Sequence, residues 1–411
     1  MTNKVVIVGA GIGGLTAALA LVKRGMRVSI FEQAKQIQEV GAGLQLSPNA
    51  VHVLNALGLR AALQAVIFQP EYAVMRHYQS ARAYFSVPLG QRCEQKFAAP
   101  YWHVHRADLH QVLYQACLAH GVEFRLAAKV AAYQHSNSGA QVSVQLTDGE
   151  QLDADVLIGA DGIHSVIQQQ VLQAHGLSSQ PRFTGQVAWR GTIEAKRLPP
   201  KLVEPNANLW VGPGKHLVSY YLRGGKLVNF VAVEERSDWQ LESWSQPGDV
   251  AQLQALFSDW HPQVRELIGA AERCFSWALH DRAPLTHWVD KRVALLGDAC
   301  HPMLPFLAQG AAMAIEDAYV LAAMLARQAD PEQALQLYQQ ARFPRCTMVQ
   351  QGAKQNTSLY HRSGMLDNAK LAVLAALADS GISNWLAAKQ LERLYHYNPV
   401  AEFQTELANG N

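Results

Sequence analysis

Four groups of residues in this chain combine types and spacings that chemistry can use. Gly9-x-Gly11-x-x-Gly14 follows a short β-branched run, and Glu32 stands about 20 residues on. Asp161-Gly162 and Gly297-Asp298 each close an apolar run, which puts a carboxylate at the carboxyl end of a buried strand, where open α/β sheets bind ligands. After Asp298 come His301, two prolines (Pro302 and Pro305) that keep the chain out of a helix, and then Gln309-Gly310-Ala311 opening a helix of small residues. A strand end, an acid, a rigid loop and a helix N-terminus make a site for a polar, partly anionic group. The fourth group is His216 and Tyr220, four apart and so on one face if they share a strand. A base and a phenol on one face suit proton transfer to or from a hydroxyl.

The glycines have separate tasks. Gly9 allows a tight turn, Gly11 lets the backbone approach a pyrophosphate, and Gly14 lets the helix pack on the strand. Glu32 is placed to accept hydrogen bonds from ribose hydroxyls, which suits FAD or NAD and disfavours a 2′-phosphate. Tyr101-Trp102-His103-Val104-His105-Arg106-Ala107-Asp108-Leu109-His110 invites a metal reading. A strand that becomes a helix near Asp108 would turn His110 away, and no second cluster completes a site, so no metal is expected. Arg106 is instead expected to reach a phosphate or flavin edge. Cys300 beside His301 offers a nucleophile only if the two face each other, which adjacency does not require.

The elements that must position these groups follow from periodicity. Strands are expected at Lys4–Val8 and Arg27–Phe31 around a helix from Leu15 to Lys23. Residues 41–50 read as a glycine-poised loop leading into a helix from Ala50 to Leu57. Alternating strands follow at Leu126–Tyr133, Gln141–Leu146 and Gln151–Leu152, with Asp148-Gly149 as a hairpin turn, and Val156–Gly159 is a further buried strand. From Phe183 the texture becomes β-rich: Val187–Glu194, Ala207–Val211, His216–Leu222 and Lys226–Glu234, then a helix from Asp249 to Ala271. Trp189, Trp210, Tyr220, Tyr221 and Phe230 are candidates for an apolar pocket, each also a candidate for plain sheet core. Pro331 to Tyr397 is helical and amphipathic. The expected architecture is α/β: a dinucleotide-binding domain (1–180, returning at 285–350), an inserted β-rich substrate domain (181–284) and a C-terminal helical region (351–411).

Composition sets the bounds. With 411 residues, 49% hydrophobic and 17% charged, the chain is well cored and larger than one typical domain. A formal charge of +2 without like-charge runs gives no electrostatic case for nucleic acid or a membrane surface. Five scattered cysteines without CxxC suit reduced thiols and a cytoplasmic location. Residues 5–22 lack charge, but glycines interrupt them at the spacings just explained, so a secretory leader is not expected. A monomer or homodimer is expected.

Taken together, these motifs resemble the single-component flavoprotein aromatic hydroxylases, the group of p-hydroxybenzoate hydroxylase. The resemblance rests on Gly9, Gly11 and Gly14 with Glu32, on Asp161-Gly162, and on Gly297-Asp298 through His301-Pro302, and it spans nearly the whole chain. Within the group, HPMLPFLAQGAAMAIEDA looks most like salicylate hydroxylases and their relatives acting on 3-hydroxybenzoate and 6-hydroxynicotinate. His216-x-x-x-Tyr220 matches a pair that lies near the substrate hydroxyl in those relatives, and Leu394-Tyr395-His396-Tyr397 resembles the C-terminal signature. The resemblance implies FAD held by Gly9, Gly11, Gly14, Glu32, Gln33, Arg106, Val130, Asp161, Asp298, Gln309, Gly310 and Ala311, with NADH or NADPH and O2 as co-substrates. It implies His216 and Tyr220 as catalytic residues, with Pro305, Tyr220 and Arg190 at the substrate. The implied reaction is hydroxylation of a small phenolic acid through a C4a-hydroperoxyflavin, salicylate to catechol with CO2 release above others. The alternatives are a larger phenol or quinone precursor as substrate, or a non-oxygenating flavin dehydrogenase. Two departures stand out: Gln168 replaces the usual Arg of the Asp-Gly motif, and Pro305 replaces the Gln of 3-hydroxybenzoate 6-hydroxylase. Arg223 is a second candidate partner for a substrate carboxylate.

Overall fold

The computed structural model describes residues 4–37, 42–237, 247–361, 364–378 and 380–404. Its first layer is a six-stranded sheet. In spatial order the strands are Val289–Asp290, Val293–Leu295, Val156–Gly159, Lys4–Val8, Arg27–Phe31 and Glu123–Arg125. All neighbours are parallel except the first pair. Val5, Val6, Ile7, Leu157 and Ile158 have no solvent exposure, as a parallel sheet covered on both faces requires. The helix Ile12–Val22 lies on one face against the helix Gly310–Arg327. At Gly13 the fit is close: a Cβ there would stand 2.6 Å from Leu296 Cδ2 and 3.3 Å from Ala314 Cβ. The uncharged run 5–22 is therefore a strand and helix at the centre of the core.

An eight-stranded sheet forms the second layer, in the order Pro247–Gly248, Cys274–Asp281, Arg182–Glu194, Leu227–Glu235, Lys215–Leu222, Ala207–Gly212, Tyr72–His77 and Ala83–Pro88. It draws two strands from residues 72–88, well outside the 181–284 stretch that texture alone marks. The two sheets are joined by a small one in which Gly43–Leu46 pairs antiparallel with Trp102–His105. Residues 43–46 are thus a strand rather than the expected loop, and the following helix starts earlier, at Pro48. Proline suits that first helical position, since its missing N–H would have no partner there. Gly41 lies outside the described residues.

Other expectations shift for local reasons. The helix expected over 249–271 is two, Val250–Leu256 and Pro262–Gly269, because a proline cannot continue a helix and restrains the residue before it. The strand expected at Leu126–Tyr133 runs Val130–His135, in a separate three-stranded sheet, after a strand Glu123–Arg125 that belongs to the six-stranded one. The C-terminal region is helical at Pro331–His361, Met365–Ala376 and Ile382–Tyr395, the first crossing the anticipated boundary at 350. Trp189, Trp210 and Phe230 join a separate core under the helices at 250–269, on the sheet face away from Tyr220. Among the described residues no helix is long and apolar enough to cross a membrane.

Candidate functional site

A cavity of about 600 Å³ runs from the glycine turn into the space between the two large sheets. Gly11, Ile12 and Gly13 line one end. Gly9 has φ +100°, a conformation that favours glycine, and a Cβ there would stand 2.5 Å from Ala160 O. At Gly14 a Cβ would stand 2.1 Å from Gly9 O, whereas at Gly11 nothing lies within 4 Å, so Gly11 faces open space. The helix Ile12–Val22 begins without a side-chain cap, leaving its first N–H groups for a ligand. Glu32 braces this turn: Ala10 N donates to its Oε2 at 2.9 Å and Ala34 N to its Oε1 at 2.8 Å. The residues here fit a dinucleotide pyrophosphate, because the cradle is one that side chains would fill.

A second helix N-terminus opens on the same cavity. Gly310 and Ala311 line it, and the helix Gly310–Arg327 also starts without a side-chain cap. The Gln309 side chain is turned away from the cavity: its Nε2 donates to Ser47 Oγ at 2.9 Å and its Oε1 accepts from Asn49 Nδ2 at 3.0 Å. Asn49 Nδ2 also donates to Glu316 Oε1 at 2.6 Å. Glu316 in turn binds Arg342 and Arg345, each at 2.7 Å. Asp317 accepts from His301 Nε2 and, at 2.7 Å, from Arg342 Nε. These groups lie in the interior, so every charge must be paired, and the pairing fixes the loop 297–311 to the helix behind it. Cys300, His301 and Asp317 also lie within metal-ligating reach of one another. The carboxylate is already shared with a guanidinium, so the cluster reads as a charge network. Burial pushes the Cys300 thiol up to about 12, which leaves no thiolate nucleophile at neutral pH.

The floor of the far end is one face of the eight-stranded sheet. His216, Val218 and Tyr220 alternate along one strand, Val231 and Val233 face them from the next, and Arg190 follows on the strand beyond. Arg190 is buried, with its guanidinium 4.9 Å over the Trp277 ring. His216 is 2% exposed; its Nδ1 is 2.8 Å from His361 Nε2, and His361 Nδ1 is 2.9 Å from Glu235 Oε1. Burial, with the neighbouring His361, holds the His216 imidazole well below the usual histidine range, so it is neutral. Burial likewise pushes the Tyr220 phenol up, so it keeps its proton. Tyr220 packs against His103, the rings tilted by 43° with centroids 4.5 Å apart, and burial takes His103 down to about 3. Arg106, Asp298 and Pro305 also line the cavity. Asp298 is open to the cavity but otherwise enclosed by protein, which raises its carboxyl above the usual range against the pull of His301 and Arg106.

The structure thus brings Gly11, Arg106, Arg190, His216, Tyr220, Asp298, Pro305, Gly310 and Ala311 to one space. Four side chains from the sequence reading are engaged elsewhere. Asp161 accepts from Val166 N at 2.9 Å and from Ser165 Oγ, capping the helix Val166–Ala174 rather than facing a ligand. Val130 is packed in the core, and Gln309 positions the loop as above. Gln33 is exposed beside Glu32. Arg223 forms a bidentate pair with Asp108 at 2.7 Å on both arms, which removes it as a carboxylate partner. The histidines of 103–110 separate: His103 lies under Tyr220, and His110 Nε2 is 2.6 Å from Ala10 O. Sequence reasoning missed His361, Asn229 and Asn49. Asn229 Oδ1 accepts from Gly43 N at 2.9 Å and so ties the strand Gly43–Leu46 to the sheet.

A glycine cradle with an acid on the next strand, opening into an apolar chamber floored by a second sheet, defines an FAD-dependent aromatic hydroxylase. Residues 2–353 match the FAD binding domain family, and the chain belongs to it. The chain is 37% identical over 400 residues to 3-hydroxybenzoate 6-hydroxylase 1 of Aquipseudomonas alcaligenes, covering 96% of this chain and 100% of that one. It is also 37% identical over 359 residues to a 3-amino-4-hydroxybenzoate 2-monooxygenase of Streptomyces platensis, covering 87% and 88%. Among solved structures it is similar to a salicylate hydroxylase substrate complex, with a TM-score of 0.83 and 25% identity over 98% of this chain and 97% of that one. Klebsiella pneumoniae HpxO complexed with FAD and uric acid superposes with a TM-score of 0.82 at 28% identity, covering 95% and 97%.

Proposed function

We propose that this protein hydroxylates a small aromatic acid carrying a ring hydroxyl and a ring carboxylate, using NADH or NADPH and O2. The observation that carries this reading is the meeting of two uncapped helix N-termini with His216 and Tyr220 in one cavity. The chemistry that bound FAD would supply is acceptance of a hydride from the nicotinamide and activation of O2. The turn Gly9–Gly14 and the helix behind it would hold the pyrophosphate, Glu32 the ribose, and Arg106 and Asp298 the middle of the cofactor. The helix N-terminus at Gly310 would turn its positive end toward a bound flavin and would stabilise negative charge there, a preorganised electrostatic effect.

The rest belongs to the chain's side chains. Neutral His216 accepts the proton of the substrate hydroxyl, and Tyr220, which keeps its own, donates a hydrogen bond to the resulting oxyanion. Ionisation raises electron density at the ortho and para carbons, where oxygen enters. Arg190 and Arg106 are the arginines of the described lining, and Arg190, on the sheet floor with His216, pairs with the carboxylate. Val218, Val231, Val233 and Leu279 keep water from the reacting atoms. One oxygen atom enters the ring and the other leaves as water.

Within this class, apolar Pro305 at the cavity favours salicylate, whose carboxylate stands on the ortho carbon and leaves as CO2 to give catechol. The relative of Aquipseudomonas alcaligenes favours a second reading, 3-hydroxybenzoate without decarboxylation. FAD-loaded protein mixed with salicylate, 3-hydroxybenzoate, 6-hydroxynicotinate and plain phenol separates them by NADH and NADPH oxidation, O2 uptake and product analysis. One catechol per NAD(P)H from salicylate establishes the first. No stimulation by any of the four overturns the small-acid reading. A cytoplasmic enzyme acting as monomer or homodimer belongs to the same proposal.

A further inference from the structure

The hydroxylase reading leaves a proton to dispose of. Burial opposes a positive charge on His216, so this imidazole is a poor place for a proton to stay. The neighbouring rings of Phe306 and Tyr360, with centroids at 5.0 and 5.4 Å, carry no negative charge to hold one. What His216 does have is a partner. Its Nδ1 is committed to His361 Nε2 at 2.8 Å, which leaves Nε2 for the cavity. His361 is itself fully buried, at the end of the long helix Pro331–His361, and its backbone carbonyl is fixed by Gly214 N at 2.8 Å. Its Nδ1 meets Glu235 Oε1 at 2.9 Å, and the Glu235 side chain is 44% exposed. The three groups form an unbroken hydrogen-bonded line from the cavity floor to solvent.

We propose that His216, His361 and Glu235 form a proton relay that carries the substrate's hydroxyl proton to bulk water. The inference rests on the hydroxylase reading. With both imidazoles neutral, one arrangement of protons satisfies every contact with a carboxylate at the outer end: Nδ1–H on His361 donating to Glu235, and Nδ1–H on His216 donating to His361 Nε2. His216 Nε2 is then a bare acceptor. When it takes the substrate proton, its Nδ1 proton moves to His361 Nε2, the His361 Nδ1 proton moves to Glu235, and Glu235 releases it to water. Each imidazole ends neutral with its proton on the other nitrogen, and one O–H bond has been exchanged for one proton in solvent. The return of a proton along the same line to the product phenolate restores the starting tautomers. His361 and Glu235 are positioning residues, since neither touches the substrate.

The test uses FAD-loaded, oxidised enzyme and a hydroxybenzoate that the wild type hydroxylates. Enzyme and substrate are mixed rapidly in weak buffer with a pH-indicator dye, following the proton released on binding. The relay predicts a fast release that His361→Gln and Glu235→Gln each slow about tenfold or more, with the substrate Kd within about twofold of wild type. Imidazole added to His361→Ala restores the rate. If the buried variants lose FAD, Glu235→Gln, at a half-exposed position, decides alone. Release at the wild-type rate in Glu235→Gln, or a hydroxylating wild type that releases no proton on binding, overturns the relay. A wild type that hydroxylates no phenol of the panel overturns the hydroxylase reading instead.

Discussion

Gly43 lies directly against the ring of Tyr220: a Cβ at position 43 would stand 2.5 Å from Cε2 and 2.6 Å from Oη. The joining strand and the eight-stranded sheet therefore meet where a side chain has no room, with Gly43 N donating to Asn229 Oδ1 beside it. Gly43→Ala is expected to push the Tyr220 ring aside at a cost of about 1–3 kcal/mol, the usual scale of overpacking. The result is a protein that still binds FAD but shows a raised KM for the phenol. An unchanged KM would place Tyr220 outside the substrate contact.

The proposed pairing of Arg190 with a substrate carboxylate makes a direct prediction. Arg190→Gln keeps a polar group over Trp277 but removes the charge. Binding of hydroxybenzoates is expected to weaken about tenfold or more, the scale of a charge-assisted hydrogen bond, while plain phenol is little affected. Titration of the bound flavin's absorbance with each ligand measures both. Equal losses for the acid and the phenol would mean that Arg190 acts through packing alone.

The glycine cradle separates two effects. Gly14→Ala puts a methyl 2.1 Å from Gly9 O and is expected to disrupt the folded turn, lowering the yield of soluble protein. Gly11→Ala meets nothing within 4 Å, so the chain is expected to fold with an unchanged Tm while FAD binding is lost or sharply weakened. Fluorescence quenching of added FAD distinguishes the two.

Asp317 holds the loop that carries Asp298 and Pro305. Asp317→Asn leaves Arg342 and His301 poorly compensated in the interior and is expected to cost about 3–5 kcal/mol, as breaking a buried ion pair does. Burial opposes the Asp317 charge, but His301 and Arg342 outweigh it and hold the carboxyl at about 2, below its usual 3.8. A depressed carboxyl contributes stability that is present above the unfolded value and lost as pH falls through the folded one. Wild-type protein is therefore expected to lose this contribution between about pH 4 and pH 2, a loss that Asp317→Asn does not share, in denaturant unfolding at each pH.

Gln168 is fully buried, and neither atom of its side-chain amide has a hydrogen-bond partner. Gln168→Leu, of similar size, is expected to leave stability unchanged or raise it by about 1 kcal/mol, since the desolvated amide is removed. A drop in Tm would point to a buried water satisfying the amide.

The sequence by itself determined the parts of this protein that are local. Gly9, Gly11 and Gly14 need particular backbone shapes within a few residues of one another, and Glu32 follows from the length of one strand–helix–strand unit. His216 and Tyr220 share a face because a strand repeats every two residues. Pro302 and Pro305 restrain the loop between a strand end and the helix at Gly310. Side-chain engagement was decided by contacts between distant segments. Asp161 caps the next helix, Arg223 is taken by Asp108 across 115 positions, and Gln309 reaches back to Ser47 across 262. His361 comes to His216 from 145 residues away, at the end of a helix whose amphipathic pattern says only that it packs. Local steric rules are written in neighbouring residues. Which distant group satisfies a buried charge or hydrogen bond depends on packing, and only the folded chain fixes that.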